Sequence, residues 1–144
     1  MREILFKAKR KNWRELPKEE WWVEGSYHHQ TDYYGESCDK HYIIDGTETD
    51  MEGYGGHYEI DPETLCQYTG MVDRNGKRIW ENDIVKHEVS DTIGTVKWCQ
   101  EDYVGWCVDD IVIDEQQFTD EMWNECEVIG NIFDNPELLK GDAE

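Results

Sequence analysis

The tetrapeptide Asp73-Arg74-Asn75-Gly76 constrains the fold of this chain more than any other feature. Asn-Gly is the strongest short hairpin signal, because both residues tolerate a positive φ. Apolar runs too short for ordinary helices flank it: "QYTGMV" before, "KRIW" and "NDIV" after. The pattern predicts a turn with Asn75 and Gly76 both left-handed. Gly70 and Gly76 release the backbone, Ile79, Ile84 and Val85 enter a core, and Asp83 caps a turn. Further runs follow in "TIGTVKWC" (92–99), "YVGWCVDD" (103–110), "IVI" (111–113) and "CEVIGNIF" (126–133). In 92–99, Val96 and Trp98 share one face, and Thr95 and Lys97 the other. Strands at roughly 8–12-residue spacing, separated by turns, indicate a sandwich or barrel.

The fold class is therefore mainly β with little helix, α+β at most. The run "NDIV…GTVKW…VGWCV" resembles the strand rhythm of a small SH3-like barrel, which sets the expectation for the C-terminal half. In the N-terminal half, "EILFKA" (3–8) and "WWVEGSY" (21–27) read as a hairpin, with Ile4 and Phe6 on one face. Residues 28–40 are mixed polar, 41–45 and 57–60 are short strands, and glycine-rich 46–56 is a loop. Asp61-Pro62 punctuates the chain, since a residue before proline avoids the helical region. Two modules follow, 1–60 and 61–144, which one continuous domain could also contain. "TDEMWNE" (119–125) reads as one or two helical turns. Asn135 and Pro136 open a short terminal helix. Val128, Ile129, Ile132 and Phe133 are expected in the core, with Leu138 or Leu139 covering one end.

Charge excludes several functions. The 144 residues carry 14 Lys and Arg against 34 Asp and Glu, a net charge of −20. Nucleic-acid affinity needs the opposite sign, because cations must replace counterions at phosphates. An anionic membrane surface is disfavoured for the same reason. No run approaches the ~20 apolar residues of a membrane span, and the start lacks a signal-peptide apolar region. The expected location is a reducing cytoplasm. Five cysteines at irregular spacing imply no disulfide framework there, and read as small buried apolar residues.

No phosphate-binding, dinucleotide, nucleophile-elbow or H-E-x-x-H motif is present. No enzyme activity and no cofactor are expected. Glu81 and Asp83 have no legible cleft to serve as an acid–base pair. The weak metal candidate is "HHQTDYYGESCDKHY", with His28, His29, Cys38 and His41. Cys38-x-x-His41 has a spacing compatible with two zinc ligands, but a site needs about four.

The charge is also unevenly placed. Between Lys97 and Lys140 there is no Lys or Arg, while twelve acids fall in that window. Asp109, Asp110, Asp114, Glu115, Asp120 and Glu121 are its candidate interaction residues. Lys7, Lys9, Arg10, Lys11, Arg14 and Lys18 cluster near the start. Such an acidic face is a solvated surface or a docking site for a protein with a basic surface. Head-to-tail self-association into a homo-oligomer is a further reading.

Three segments together resemble the YopX family of phage and prophage proteins: "QYTGMVDRNGKRIWENDIV", "CEVIGNIFDNPELL" and, more weakly, "REILFKAK". The resemblance implies a β-rich cytoplasmic phage protein without an assigned activity. Asn82 stands where the family usually has glycine, and asparagine is well tolerated at positive φ. The expected function is a non-enzymatic acidic interaction module. The alternatives are a zinc-binding protein or enzyme using segment 28–41, and an oligomeric structural phage component.

Overall fold

A computed structural model describes residues 4–45, 56–100, 104–109 and 120–139, with side-chain detail from Met122 in the last segment. The strands are antiparallel and form two sheets. The chain divides into two compact units, Met1–Gln67 and Tyr68–Glu144.

In the first unit, β1 (Phe6–Lys9), β2 (Trp22–Tyr33), β3 (Glu36–Ile44) and β4 (His57–Glu59) form a meander in the order β4-β3-β2-β1. The expected hairpin of the first two strands is present, with Ala8 opposite Val23. Its partner strand is much longer than the sequence indicates. β2 runs on through the polar residues 28–33 and pairs with β3, so a two-stranded arm occupies the stretch that reads only as mixed polar. The core lies at the base of this arm. Ala8, Ile43 and Ile60 are buried there, and Phe6, Val23, Tyr27 and Leu65 pack against them. Ile4 does not join Phe6 and is exposed. Asp61-Pro62 starts a 3-10 turn, Pro62–Thr64, whose first N–H groups include that of Glu63, donated to the Asp61 carboxylate at 3.1 Å.

β5 (Cys66–Val72) begins beside β1, where Cys66 lies opposite Lys7. In the second unit it continues against β6 (Arg78–Trp80). β7 (Asp83–His87), β8 (Thr92–Cys99), β9 (Gly105–Asp109) and β10 (Cys126–Asn131) form the other sheet, in the order β10-β7-β8-β9. The short helix α1 (Asp120–Asn124) precedes β10. Ile79, Val85, Val96, Trp106, Val108, Trp123 and Cys126 make the core, with Met71 and Val128 against it.

Several expectations are corrected. The described strands form no closed barrel, because β10 and β9 remain the two ends of their sheet; closure would require a matched strand tilt and stagger. Val96 and Trp98 share a face of β8 as expected, opposite Val108 and Trp106, but burial does not follow the faces, since Thr95 is buried while Trp98 is 42% exposed. Val128, Ile129, Ile132 and Phe133 are only half-buried, and the strand ends at Asn131. The terminal helix is a single 3-10 turn, Pro136–Leu139, within which Leu139 is exposed. Cys66 and Cys126 are buried as expected and Cys38 is half-buried, but Cys99 and Cys107 form a disulfide across β8 and β9. The strand expected at 111–113 lies outside the described residues.

The central turn has one left-handed residue, not two. Gly76 has φ +80°, whereas Asn75 is not among the residues at positive φ. The reason is the Asp73 carboxylate, whose Oδ1 accepts the N–H groups of Asn75 and Lys77, each at 2.9 Å. That side-chain turn holds Asn75 in the ordinary region and leaves the reversal to glycine, as in a longer hairpin connection. Asn82 does stand at φ +71°. Asp83 caps as expected, its Oδ2 accepting the Trp80 N–H at 2.8 Å.

Candidate functional site

The β2–β3 arm carries the densest set of chemically able side chains among the described residues. Side chains alternate across a strand, so register decides which of them meet. His29 lies directly opposite His41, and Tyr27 opposite Ile43. Asp39 is two residues before His41 and shares its face. Both imidazoles approach Asp39 Oδ1 through Nε2, His29 at 2.6 Å and His41 at 3.1 Å. An ionised carboxylate only accepts, so each ring donates Nε2–H to it. The two rings stack with centroids 4.1 Å apart and planes 10° from parallel.

Tyr27 anchors this group to the core. Its ring packs against Phe6, and its hydroxyl lies 2.6 Å from His41 Nδ1. Burial, and then the negative charge of Asp39, push the Tyr27 phenol above its ordinary pKa. The hydrogen bond from His29, helped by the charges of both histidines, holds the Asp39 carboxyl below the ordinary carboxylate range.

The expected metal set is therefore split. His29 and His41 come together, but His28 and Cys38 are on the other face of the arm, because neighbours in a strand and residues three apart point to opposite sides. His28 stacks on Tyr42, and the Cys38 thiol donates to the Gln30 carbonyl at 3.4 Å. Asp39 is not legible in the sequence as a partner of these histidines, because their meeting depends on the hairpin register and not on any spacing within one segment. On the Cys38 face a concavity of about 430 Å³ is lined by Gln30, Tyr33, Lys40 and Tyr42, among others.

The arm ends in a two-residue reversal. Tyr33 pairs with Glu36. Tyr34 and Gly35 both have positive φ, +51° and +84°. Tyr34 is 90% exposed, and its ring meets that of Tyr33 edge-on at 4.5 Å.

Of the acidic candidates, Asp109 is exposed at the end of β9 and pairs with Lys97 at 3.0 Å. Asp110, Asp114 and Glu115 lie outside the described residues, as do the side chains of Asp120 and Glu121. Of the N-terminal cations, Lys7, Lys9, Arg10 and Arg14 lie over aromatic rings, while Lys11 pairs with Glu59. Lys9 is buried, its ammonium 3.9 Å from the Trp13 ring centroid and 4.5 Å from that of Trp21. Arg14 lies over Trp13, and Arg10 over Tyr58. Cation–π contact of this kind converts a run of charge in the sequence into local packing.

An antiparallel two-unit β protein of this kind belongs to a recognised group. The family model described as YopX protein matches residues 6–140, and the chain belongs to the YopX family. Among solved structures, the chain is similar to the crystal structure of protein EF1440 from Enterococcus faecalis, with a TM-score of 0.57 and 20% identity. That match covers 96% of this chain and 99% of the other, and at this identity it speaks for the fold alone. No curated protein matches the chain. No helix among the described residues is long and apolar enough to cross a membrane.

Proposed function

We propose that this chain is a non-enzymatic interaction module of phage or prophage origin, working in the bacterial cytoplasm and docking on a host or phage protein with a basic surface. The observation that carries this reading is Tyr34, a non-glycine residue at φ +51° and 90% exposed at the tip of a two-stranded arm. A left-handed aromatic residue costs about 1–2 kcal/mol of backbone strain. A protein that keeps this strain to display a ring in water has a use for the ring. Tyrosine is also among the residues that dominate binding energy at protein interfaces. The net charge of −20 supplies the complement to a basic partner and opposes nucleic acid.

The test uses the immobilised full chain and a bacterial extract at low salt. Tyr34→Gly removes the ring and keeps the turn. Relief of strain then offsets the greater freedom of unfolded glycine, leaving stability within about 1 kcal/mol. The reading expects a basic protein that native chain retains, that Tyr34→Gly releases, and that added salt elutes. A captured protein indifferent to Tyr34 and to salt, or no protein captured, overturns it.

A further inference from the structure

We propose that His29, Asp39 and His41 form a divalent transition-metal site that takes zinc. The three ligand atoms lie within 4.8 Å of one another, and each residue contributes one. Two imidazoles and one carboxylate are a borderline-soft donor set, suited to zinc, cobalt or nickel over magnesium or calcium.

The arrangement fits in three respects. First, the register already brings the donors together: His29 is paired across the ladder with His41, and Asp39 is two positions from His41 on the same strand. A metal requires small side-chain movements and no change of fold. Zinc holds tetrahedral N and O ligands at about 2.0–2.2 Å, which spaces them about 3.3 Å apart. The 2.6 and 3.1 Å contacts at Asp39 would open by less than an ångström, and the stacked rings would splay so that their lone pairs converge. Zinc takes the place of the two Nε2 protons.

Second, one ligand has an orienting partner. Metal at His41 Nε2 puts the remaining ring proton on Nδ1, where the Tyr27 hydroxyl stands 2.6 Å away to accept it. Such an outer hydrogen bond fixes the tautomer and ring angle of a ligating histidine. Tyr27 is itself held by the core of the first unit.

Third, the exposure is graded in the way an open site needs. The side-chain exposures of His41, His29 and Asp39 are 15%, 41% and 79%. The inner ligand is fixed, the outer two are reachable, and the fourth position faces water. Three protein ligands with one open position distinguish this arrangement from a closed structural site.

The test is calorimetric titration of the full chain, its Cys99–Cys107 disulfide intact, with Zn2+ at about 0.15 M salt, with excess Mg2+ present to occupy diffuse acidic binding. One site per chain is expected. His29→Ala and Asp39→Asn should each weaken it roughly tenfold or more, and Tyr27→Phe should weaken it by a similar factor through the lost orienting bond. His28→Ala and Cys38→Ala should leave it unchanged. Titration with diamagnetic Zn2+ should shift the imidazole resonances of His29 and His41 more than those of His28 and His57. The exposed ligands His29 and Asp39 decide the matter should the more buried His41→Ala fail to fold. Absence of saturable Zn2+ binding overturns the proposal. So does binding that survives His29→Ala and Asp39→Asn, or that disappears in Cys38→Ala.

Discussion

The Asp73 carboxylate accepts the backbone N–H of Val128 at 2.9 Å, tying the central turn to β10 across 55 residues of sequence. The same side chain accepts Asn75 and Lys77 within its own turn, and it is 3% exposed. One buried carboxylate therefore satisfies three main-chain donors. The turn is complete only when β10 is docked.

Asp73→Ala should destabilise the fold by about 3 kcal/mol or more, because bonds to a charged acceptor are each worth about 1.5–3 kcal/mol. Asp73→Asn should cost less, since its amide oxygen still accepts. Urea denaturation measures both. A midpoint for Asp73→Ala close to the native one would show that the Val128 bond contributes nothing.

Two glycines separate strain from crowding. At Gly76, with φ +80°, an added Cβ would meet nothing within 4 Å, so Gly76→Val costs only backbone strain, about 1–2 kcal/mol. Gly76→Asn should cost less. At Gly94 the added Cβ would run into the Asp109 carbonyl oxygen of the neighbouring strand. Gly94→Ala should therefore disturb β8–β9 pairing and exceed the Gly76→Asn cost in thermal melting. Equal melting points for the two would remove the steric argument.

Burial, with Glu125 and Asp73 adding to it, pushes the Cys126 thiol up to about 12. A folded pKa above the unfolded value stabilises the protein fully below the unfolded value, about 8.5. That contribution declines as pH rises from there towards about 12. Native protein should therefore lose more stability than Cys126→Ala between pH 8 and pH 11. At pH 8 a thiol reagent should modify half-buried Cys38 before Cys66 or Cys126. Parallel pH curves for native and Cys126→Ala would contradict the burial argument.

The fold was legible where burial imposes a pattern. Ile79, Ile84, Val85 and Val96 sit in short runs between turns, and the structure buries all of them. It was not legible along 28–40, because the β2–β3 arm has solvent near both faces and its residues show no apolar alternation. That same stretch contains the candidate site. Without the hairpin, Cys38-x-x-His41 looks like a ligand pair; with it, the two residues face opposite ways and Asp39 takes the place of Cys38. Asn75 departs from its local preference for a different reason. Local preference allows it a positive φ, but the Asp73 side chain reached its N–H first.

The acidic surface yields the last prediction. Asp109 pairs with Lys97 at 3.0 Å, and both side chains are half exposed. An exposed pair of this type contributes about 0.2–1 kcal/mol at most. In a chain of net charge −20, removing negative charge also reduces self-repulsion. Replacing Asp109, Asp110 and Asp114 by Asn and Glu115 by Gln should therefore leave the melting point unchanged or slightly higher. If these carboxylates steer a basic partner, the association rate of native chain should fall steeply with salt. The screening length shrinks from about 10 Å at 0.1 M to about 3 Å at 1 M. The fourfold variant should associate more slowly at low salt and converge on the native rate at high salt, with the dissociation rate little changed. Stopped-flow or surface-based kinetics with the captured partner provide the measurement. Rates indifferent to salt and to the four substitutions would make the acidity a solubility feature and leave recognition to the tyrosines at the arm's tip.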